Sequence, residues 1–257
     1  MQQENEQIKI RFIIVDDKST DGTKEALDEL SAQEGYDIDV VEGSGNLFWS
    51  KGMHKGIAYV KEQKITSEYY LLFNDDVEFT PGILERIVTH AKSRQDKEHE
   101  VYIGATEEPE GGLSYGGILY DGGKSLHYRM LGPEESNTPC STFNANCVLI
   151  PSKAFWAVDN IDDFYKHSLG DFDYGFQLSR AGYKLYVYSE YVGVCGNNDN
   201  STNWTNPKLP RRERLKLKES RKGLPREDWF HYLKKNFGFG TACIRSITPY
   251  IKILLRK

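Results

Sequence analysis

Through the first ninety residues, apolar and polar positions alternate in blocks of two kinds. IRFIIV (10–15) is a continuous run rich in β-branched residues and predicts a strand buried on both faces. Ala26, Leu27 and Leu30 then recur at helical spacing, with Thr20 or Asp21 placed to cap. IDVVE (38–42) reads as a second strand, and Met53, Ile57 and Val60 mark one face of a following helix. YYLLF (69–73) is a third strand. After it, Thr80 and Pro81 supply a cap and a first-turn proline before Ile83, Leu84, Ile87, Val88 and Ala91 at helical spacing.

This order predicts a largely parallel sheet with right-handed crossovers. The polar clusters VDDKS, EGSGN and FNDDV each follow a strand, at the edge where open parallel sheets hold ligands. Asp17, Ser19, Asp21, Gly22 and Asp28 also match calcium-loop spacing. That loop needs a helix before it, and IRFIIV is a poor one. Beyond residue 100, VYIGAT, LSYGGILY and NCVLIP read as strands, with glycine turns at Gly111-Gly112 and Gly122-Gly123. GDFDYGFQLSRAGYKLYVY reads as a short helix closed by Gly182, then a strand.

With 257 residues, 39% hydrophobic and 28% charged, the chain has the make-up of a soluble α/β protein with a large core. It shows no apolar run long enough to span a bilayer and no secretory signal, and its four cysteines form no C-x-x-C pair. These features point to a reduced, cytoplasmic setting. Charge sharpens the picture. The net −5 hides fifteen Lys/Arg against four Asp/Glu from Lys208 onward, so residues 1–207 carry −16. A division follows: an acidic unit over 1–206 and a basic, aromatic-rich helical tail over 207–257. The tail suits an anionic membrane surface, with a solvated basic face as the alternative. Overall acidity and the lack of any nucleic-acid module exclude nucleic acid.

The set VDDKSTDGT, GNLFWSKGMHKGI, LLFNDDVEF, NANCVLIP and LGDFDYGFQLSRAGY resembles bacterial family 2 glycosyltransferases of the surface-polysaccharide branch. The resemblance covers about residues 10 to 206, with five motifs in order. It implies the GT-A (Rossmann-like) fold, a mostly parallel sheet flanked by helices. It also implies an inverting, metal-dependent transfer of a sugar from a nucleoside diphosphate to a hydroxyl acceptor. By this similarity Asp76 holds Mg²⁺ or Mn²⁺, and Asp75 contacts the ribose or a metal-bound water. Asp16 and Asp17 lie at base and ribose, where a carboxylate accepting an imide N–H favours UDP- or dTDP-linked donors. Asn46, Lys51 and His54 approach the sugar nucleotide. Asp171 is the general base, and Asp173 orients the helix or contacts the acceptor.

The chain departs from the family in three places. Asn74 stands where many relatives carry Asp, and His54 where many carry Asn. YVGVCGNN lacks the histidine that serves relatives as a further metal ligand, leaving Cys195, read as structural, and Asn197 nearby. Family members also usually open with an apolar strand and helix ahead of the VDD strand. Here MQQENEQ precedes Ile8, so the chain is expected to lack that first strand and helix, with weak donor affinity and an edge prone to association. The acceptor implied is a glycan or polyprenyl-linked sugar, reached from the inner face of the cell membrane. Two alternatives stand beside this one: a non-catalytic GT-A-like binding subunit, and a sugar nucleotidyltransferase, whose early glycine-rich signature the chain lacks.

Overall fold

The computed structural model of the chain describes residues 8–33, 35–122, 126–196 and 203–255. MQQENEQ, Gly123 and Asn197 lie outside them.

The expected strand–helix units form. They run β1 (Arg11–Asp16), α1 (Thr23–Ser31), β2 (Asp37–Glu42), α2 (Phe48–Glu62) and β3 (Tyr69–Phe73), then β4 (Glu78–Phe79) and α3 (Ile83–Ser93). β1 and β2 pair in parallel from Arg11 opposite Asp37 to Asp16 opposite Glu42, which brings their carboxyl ends together. A strand precedes the Asp17–Gly22 turn, and Asp21 accepts the backbone N–H and hydroxyl of Thr23. The stretch is therefore a strand-end turn, not a helix-flanked calcium loop.

The chain continues with β5 (Glu100–Glu107), β6 (Leu113–Tyr115), β7 (Gly117–Tyr120), β8 (Tyr128–Leu131), β9 (Thr142–Phe143), β10 (Cys147–Pro151) and α4 (Ser152–Ala157). Then come α5 (Gly170–Arg180) and the long β11 (Lys184–Val194). A six-stranded sheet follows the order β3-β10-β5-β11-β4, with β6 added on β5; β7, β8 and β9 form a smaller sheet. The α/β architecture expected from the sequence holds, and its main sheet is mixed. β11 runs parallel to β5, while β10 runs antiparallel to both its neighbours. The register explains why: β10 begins with Cys147 opposite Phe73, so the chain re-enters the sheet where β3 ends. LSYGGILY, read as one strand, divides at Gly116 between the two sheets. A Cβ on Gly116 would overlap the Leu131 carbonyl, so only glycine allows that crossing.

Alternation along the central strands builds two cores. Val101, Ile103 and Ala105 of β5, with Val148 and Ile150 of β10, face Ile57, Val60 and Phe155 on one side. Tyr102, Cys147 and Leu149 face Ile83, Leu84 and Ile87 of α3 on the other.

The basic tail is helical, as read: α6 (Arg211–Glu219), α7 (Arg226–Phe237), α8 (Phe239–Arg245) and α9 (Thr248–Leu255). It folds back onto α5, where Tyr232 and Leu233 pack with Phe172 and Phe176. Two of its basic residues turn inward. Arg214 is buried and donates to the carbonyls of Trp204 at 2.9 Å and Ile253 at 3.4 Å. Lys218 is buried over the Tyr250 ring and donates to Glu219 and the Tyr250 hydroxyl. Burial lowers the Lys218 pKa, and Glu219 opposes that shift.

Two glycine substitutions separate packing from propensity. In Gly175→Ala, the new Cβ would overlap Thr142 Oγ1 and lie 3.0 Å from Thr142 Cα, a destabilisation of about 1–3 kcal/mol. A Cβ on Gly52, within α2, would meet nothing inside 4 Å, so Gly52→Ala is expected to stabilise by up to ~1 kcal/mol. Denaturant unfolding reads both; equal effects of the same sign contradict this packing.

Candidate active site

The three strand-end loops are tied by short hydrogen bonds. Asp16 ends β1, is nearly buried, accepts the Ser19 N–H at 3.0 Å, and offers its carbonyl to Gly43 N–H at 2.6 Å. Asp17 holds the second loop with both oxygens, accepting Gly45 N–H and Leu47 N–H at 2.6 Å each. A Cβ on Gly43 would sit 2.7 Å from Asp17 Cα, so glycine is needed where these loops touch. The third loop joins through Trp49, whose indole N–H donates to Asn74 Oδ1 at 2.6 Å.

The third loop and Trp49, at the start of α2, border a cavity of about 1180 Å³. Asn74, Asp75 and Asp76 line one part of it, Asn144, Asn146 and Asp171 another, and Trp49, Tyr120, Tyr128, Phe172, Trp204 and Trp229 give it aromatic walls. The structure thus brings Asp75, Asp76 and Asp171 together. Asp16 and Asp17 are outside the lining, and the contacts of Asp17 give it the work of shaping loops. Lys51 lies along α2 and does not line the cavity. His54 turns away: its Nδ1 donates to the Ile161 carbonyl at 2.6 Å, and it borders a separate cavity of about 430 Å³.

Among the described residues, no group of three His, Cys, Asp or Glu side chains forms a cation cage. Asn74 Oδ1 is taken by Trp49, leaving Asp75 and Asp76 as the oxygen donors of this loop. Cys195 lies beside Asp76, and burial, with the Asp76 charge, pushes its thiol up to about 11. A neutral thiol is a poor ligand for a hard cation. One or two carboxylates fit Mg²⁺ or Mn²⁺ only in the mode where phosphate oxygens and water complete the shell.

Asp171 stands in the first turn of α5, entered through Leu169 with a left-handed backbone (φ 74). A Cβ on Gly170 would crowd Ser50 Oγ at 2.6 Å, so glycine lets α5 start against α2. Burial pushes the Asp171 carboxyl up to about 6, against the backbone N–H groups of Phe172 and Ala145 and the Asn144 side chain, which hold it down. Beside it, Asn144 Oδ1 is buried without a protein hydrogen-bond partner.

Asp173 has the opposite surroundings. It is fully buried and accepts from Lys235 Nζ at 2.7 Å, Asn236 Nδ2 at 2.9 Å and Gln177 Nε2 at 3.1 Å. That geometry makes it a tie between α5 and α7, in place of contact with an acceptor. Lys235 and His231 also meet Asp162; burial works against its ionised form, but their hydrogen bonds prevail and hold it down at about 2.

The tail supplies a wall that sequence reading missed. Leu217, Ser220 to Leu224, Arg245, Thr248, Pro249 and Lys252 all line the cavity. Arg221 reaches Asn46, donating to its Oδ1 at 3.0 Å, and lies 5.1 Å from the Phe48 ring. The available signal was the turn sequence around Gly223 and Pro225, which interrupts the basic helical run.

A family model described as "Glycosyl transferase family 2" matches residues 2–138, a little over half of the chain. The chain belongs to glycosyl transferase family 2. The match takes in all three strand-end loops and stops before Asp171. Among solved structures, this family 2 chain resembles "GalNAc-T7 with UDP, GalNAc and Mn2+", at 14% identity and a TM-score of 0.56, over 77% of this chain and 39% of that one. A likeness at that identity carries the fold alone, which is GT-A. The chain spans well under half the length of that protein. No curated protein matches.

The α5–α7 tie makes a stability prediction. Asp173→Ala removes an acceptor from Lys235, Asn236 and Gln177 and leaves Lys235 with Asp162, at a cost of about 1–3 kcal/mol, kept below the fully buried case because Lys235 is about one-third exposed and keeps a partner. Asp162 adds an acid-labile part: with its pKa depressed, its stabilisation is present above about 4 and is lost as pH falls toward 2. Denaturant unfolding of wild type and Asp173→Ala at pH 7 and pH 3 measures both. A change under about 0.5 kcal/mol in the variant contradicts the tie.

Proposed function

We propose that this family 2 chain is a metal-dependent, inverting glycosyltransferase. It moves a sugar from UDP or dTDP to a hydroxyl of a polysaccharide or lipid-linked glycan. The supporting observation is one partly buried carboxyl, Asp171, with its pKa raised to about 6 across a large cavity from Asp75 and Asp76. A general base works best with a pKa near the operating pH, and this one is ionised at neutral pH yet basic enough to take a proton.

In this reading the acceptor hydroxyl gives its proton to Asp171 as its oxygen attacks the anomeric carbon from the face opposite the diphosphate. The new C–O bond forms while the bond to the phosphate oxygen breaks, and the electron pair leaves with the diphosphate. Asn144 donates to Asp171 and so helps hold the carboxylate in its ionised form. Asp76, with Asp75, would hold the divalent cation, which supplies charge neutralisation to the leaving diphosphate when bound. Asp16 accepts the Ser19 N–H through Oδ1, and its other carboxylate oxygen makes it the group of the first loop proposed for the base. The aromatic walls offer faces on which sugar rings pack.

The sign of the pH dependence follows from the base. Only ionised Asp171 accepts a proton, so kcat/KM falls as pH drops below about 6 and is flat above it. Asp171→Asn is expected to lower kcat by about 10²-fold or more with donor affinity little changed, and Asp76→Ala to abolish Mn²⁺-dependent binding of UDP or dTDP. Full activity in either variant, measured with a labelled sugar nucleotide, contradicts its assigned role.

Attachment to the cytoplasmic face of a membrane forms part of the proposal. No helix among the described residues is long and apolar enough to cross one. α8, α9 and the link between them nevertheless expose Phe239, Ile244, Ile247, Ile251, Leu254 and Leu255, with Ile244 and Leu255 more than 70% accessible. Lys252 of α9 supplies positive charge beside them, and the same helix borders the cavity. An anionic lipid surface meets both features and sets the cavity beside a lipid-linked acceptor. The full chain is expected to sediment with anionic vesicles, less as salt rises, and Ile244→Glu with Leu255→Glu to abolish this. Salt-insensitive sedimentation, or none by wild type, contradicts it.

A further inference from the structure

The cavity has an electrostatic difficulty. Three carboxylates, Asp75, Asp76 and Asp171, line a space proposed above for a multiply charged diphosphate. One divalent cation on Asp76 would offset part of that charge, and among the described residues no group of three His, Cys, Asp or Glu side chains gathers to hold it. Positive charge does reach the cavity from the tail. Arg221 and Lys222 line it, and among the described residues neither lies within ion-pair distance of a carboxylate.

Their position is held from both sides. Behind them, buried Arg214 and Lys218 fasten α6 to α9. Gly223 closes the turn: its N–H donates to the Ser220 carbonyl at 2.9 Å, and a Cβ there would overlap the carbonyl of Leu217 and sit 2.7 Å from that of Lys218. In front, the Arg221 guanidinium donates one bond to Asn46 and lies over Phe48, at the start of the fifteen-residue helix α2. The rest of its N–H donors stay available. Trp49, one residue on, is bonded to Asn74, which sets this helix start beside the Asp75–Asp76 loop. His167 completes the edge. It packs against Phe48 with ring centroids 6.0 Å apart, and its Nδ1 is buried without a protein partner. Burial, together with the Lys222 charge, lowers its pKa and keeps it neutral.

We infer that Arg221 and Lys222 form the anion subsite for the nucleotide's diphosphate, clamping it against the start of α2. The inference rests on the glycosyltransferase reading and deepens it: the tail is then part of the donor site and not only an attachment device. Two cations facing a diphosphate make charge-assisted hydrogen bonds, Arg in its bidentate geometry and Lys as a point charge. When the glycosidic bond breaks, the charge that develops on the leaving phosphate oxygen meets positive charge already in place.

The test uses the full chain, with UDP and uridine as probes, in EDTA and in Mn²⁺, read by calorimetry. Arg221→Gln with Lys222→Gln is expected to weaken UDP at least about tenfold in both buffers. Uridine affinity and thermal midpoint should be unchanged, because both side chains are exposed at the cavity mouth. Arg221→Lys should recover part of the loss. UDP affinity equal to wild type in the double variant overturns the subsite while leaving the glycosyltransferase reading intact. Equal weakening of UDP and uridine overturns it too, since the pair would then only shape the pocket. Failure of wild type to bind either UDP or dTDP in either buffer overturns the reading beneath it.

Discussion

A carboxylate with no exposed surface must find its counter-charge inside the protein, and Asp173 finds it in the tail. Lys235 and Asn236 of α7 take its oxygens, and Lys235 reaches on to Asp162. That one demand fixes where α7 lies against α5. The aromatic packing of Phe172 and Phe176 against Tyr232 and Phe237 fills the remaining surface. With α7 placed, the turn that precedes it has little freedom, and Arg221 arrives at Asn46. A basic residue distant in sequence thereby reaches the loop that follows β2, beside the Asp75–Asp76 loop.

The acids of this chain divide the work by environment. Asp16 and Asp17 accept backbone N–H groups and shape the first two loops. Asp75 and Asp76 face open cavity with few protein donors. Asp171 and Asp173, two positions apart on one helical turn, have opposite surroundings. One meets a cavity and is pushed toward neutrality; the other meets Lys235 and stays in the core. Both lie at a helix N-terminus, whose dipole favours negative charge. Desolvation outweighs that preference at Asp171, while Asp173 is tied to Lys235, Asn236 and Gln177.

Much of this was legible in the residues. β1, β2 and β3 stand where apolar runs end in acids, but the expected burial on both faces does not hold: β1 is mostly half-buried, and β2 has no buried residue and exposes Val40. The helix closed by Gly182 also stands as read, since its left-handed backbone (φ 91) favours glycine. The antiparallel entry of β10 was hidden, because a strand's apolar pattern carries no direction. His54 looked like a site residue through its motif, yet its ring turns to the Ile161 carbonyl, a partner 107 positions away. The tail misled through composition. Counting charges treats every Arg and Lys as solvated, whereas Arg214 and Lys218 are buried and Arg221 and Lys222 face the cavity. Only tertiary contact separates these cases.

Hydrogen exchange of the full chain, with and without saturating UDP, tests most directly whether the tail belongs to the donor site. Exchange is expected to slow in the strand-end loops at 16–19, 43–49 and 74–77, and equally in 217–224, which is distant in sequence but shares the cavity. Slowing confined to residues before 210, with 217–224 exchanging as in the free protein, would contradict a donor site built partly from the tail.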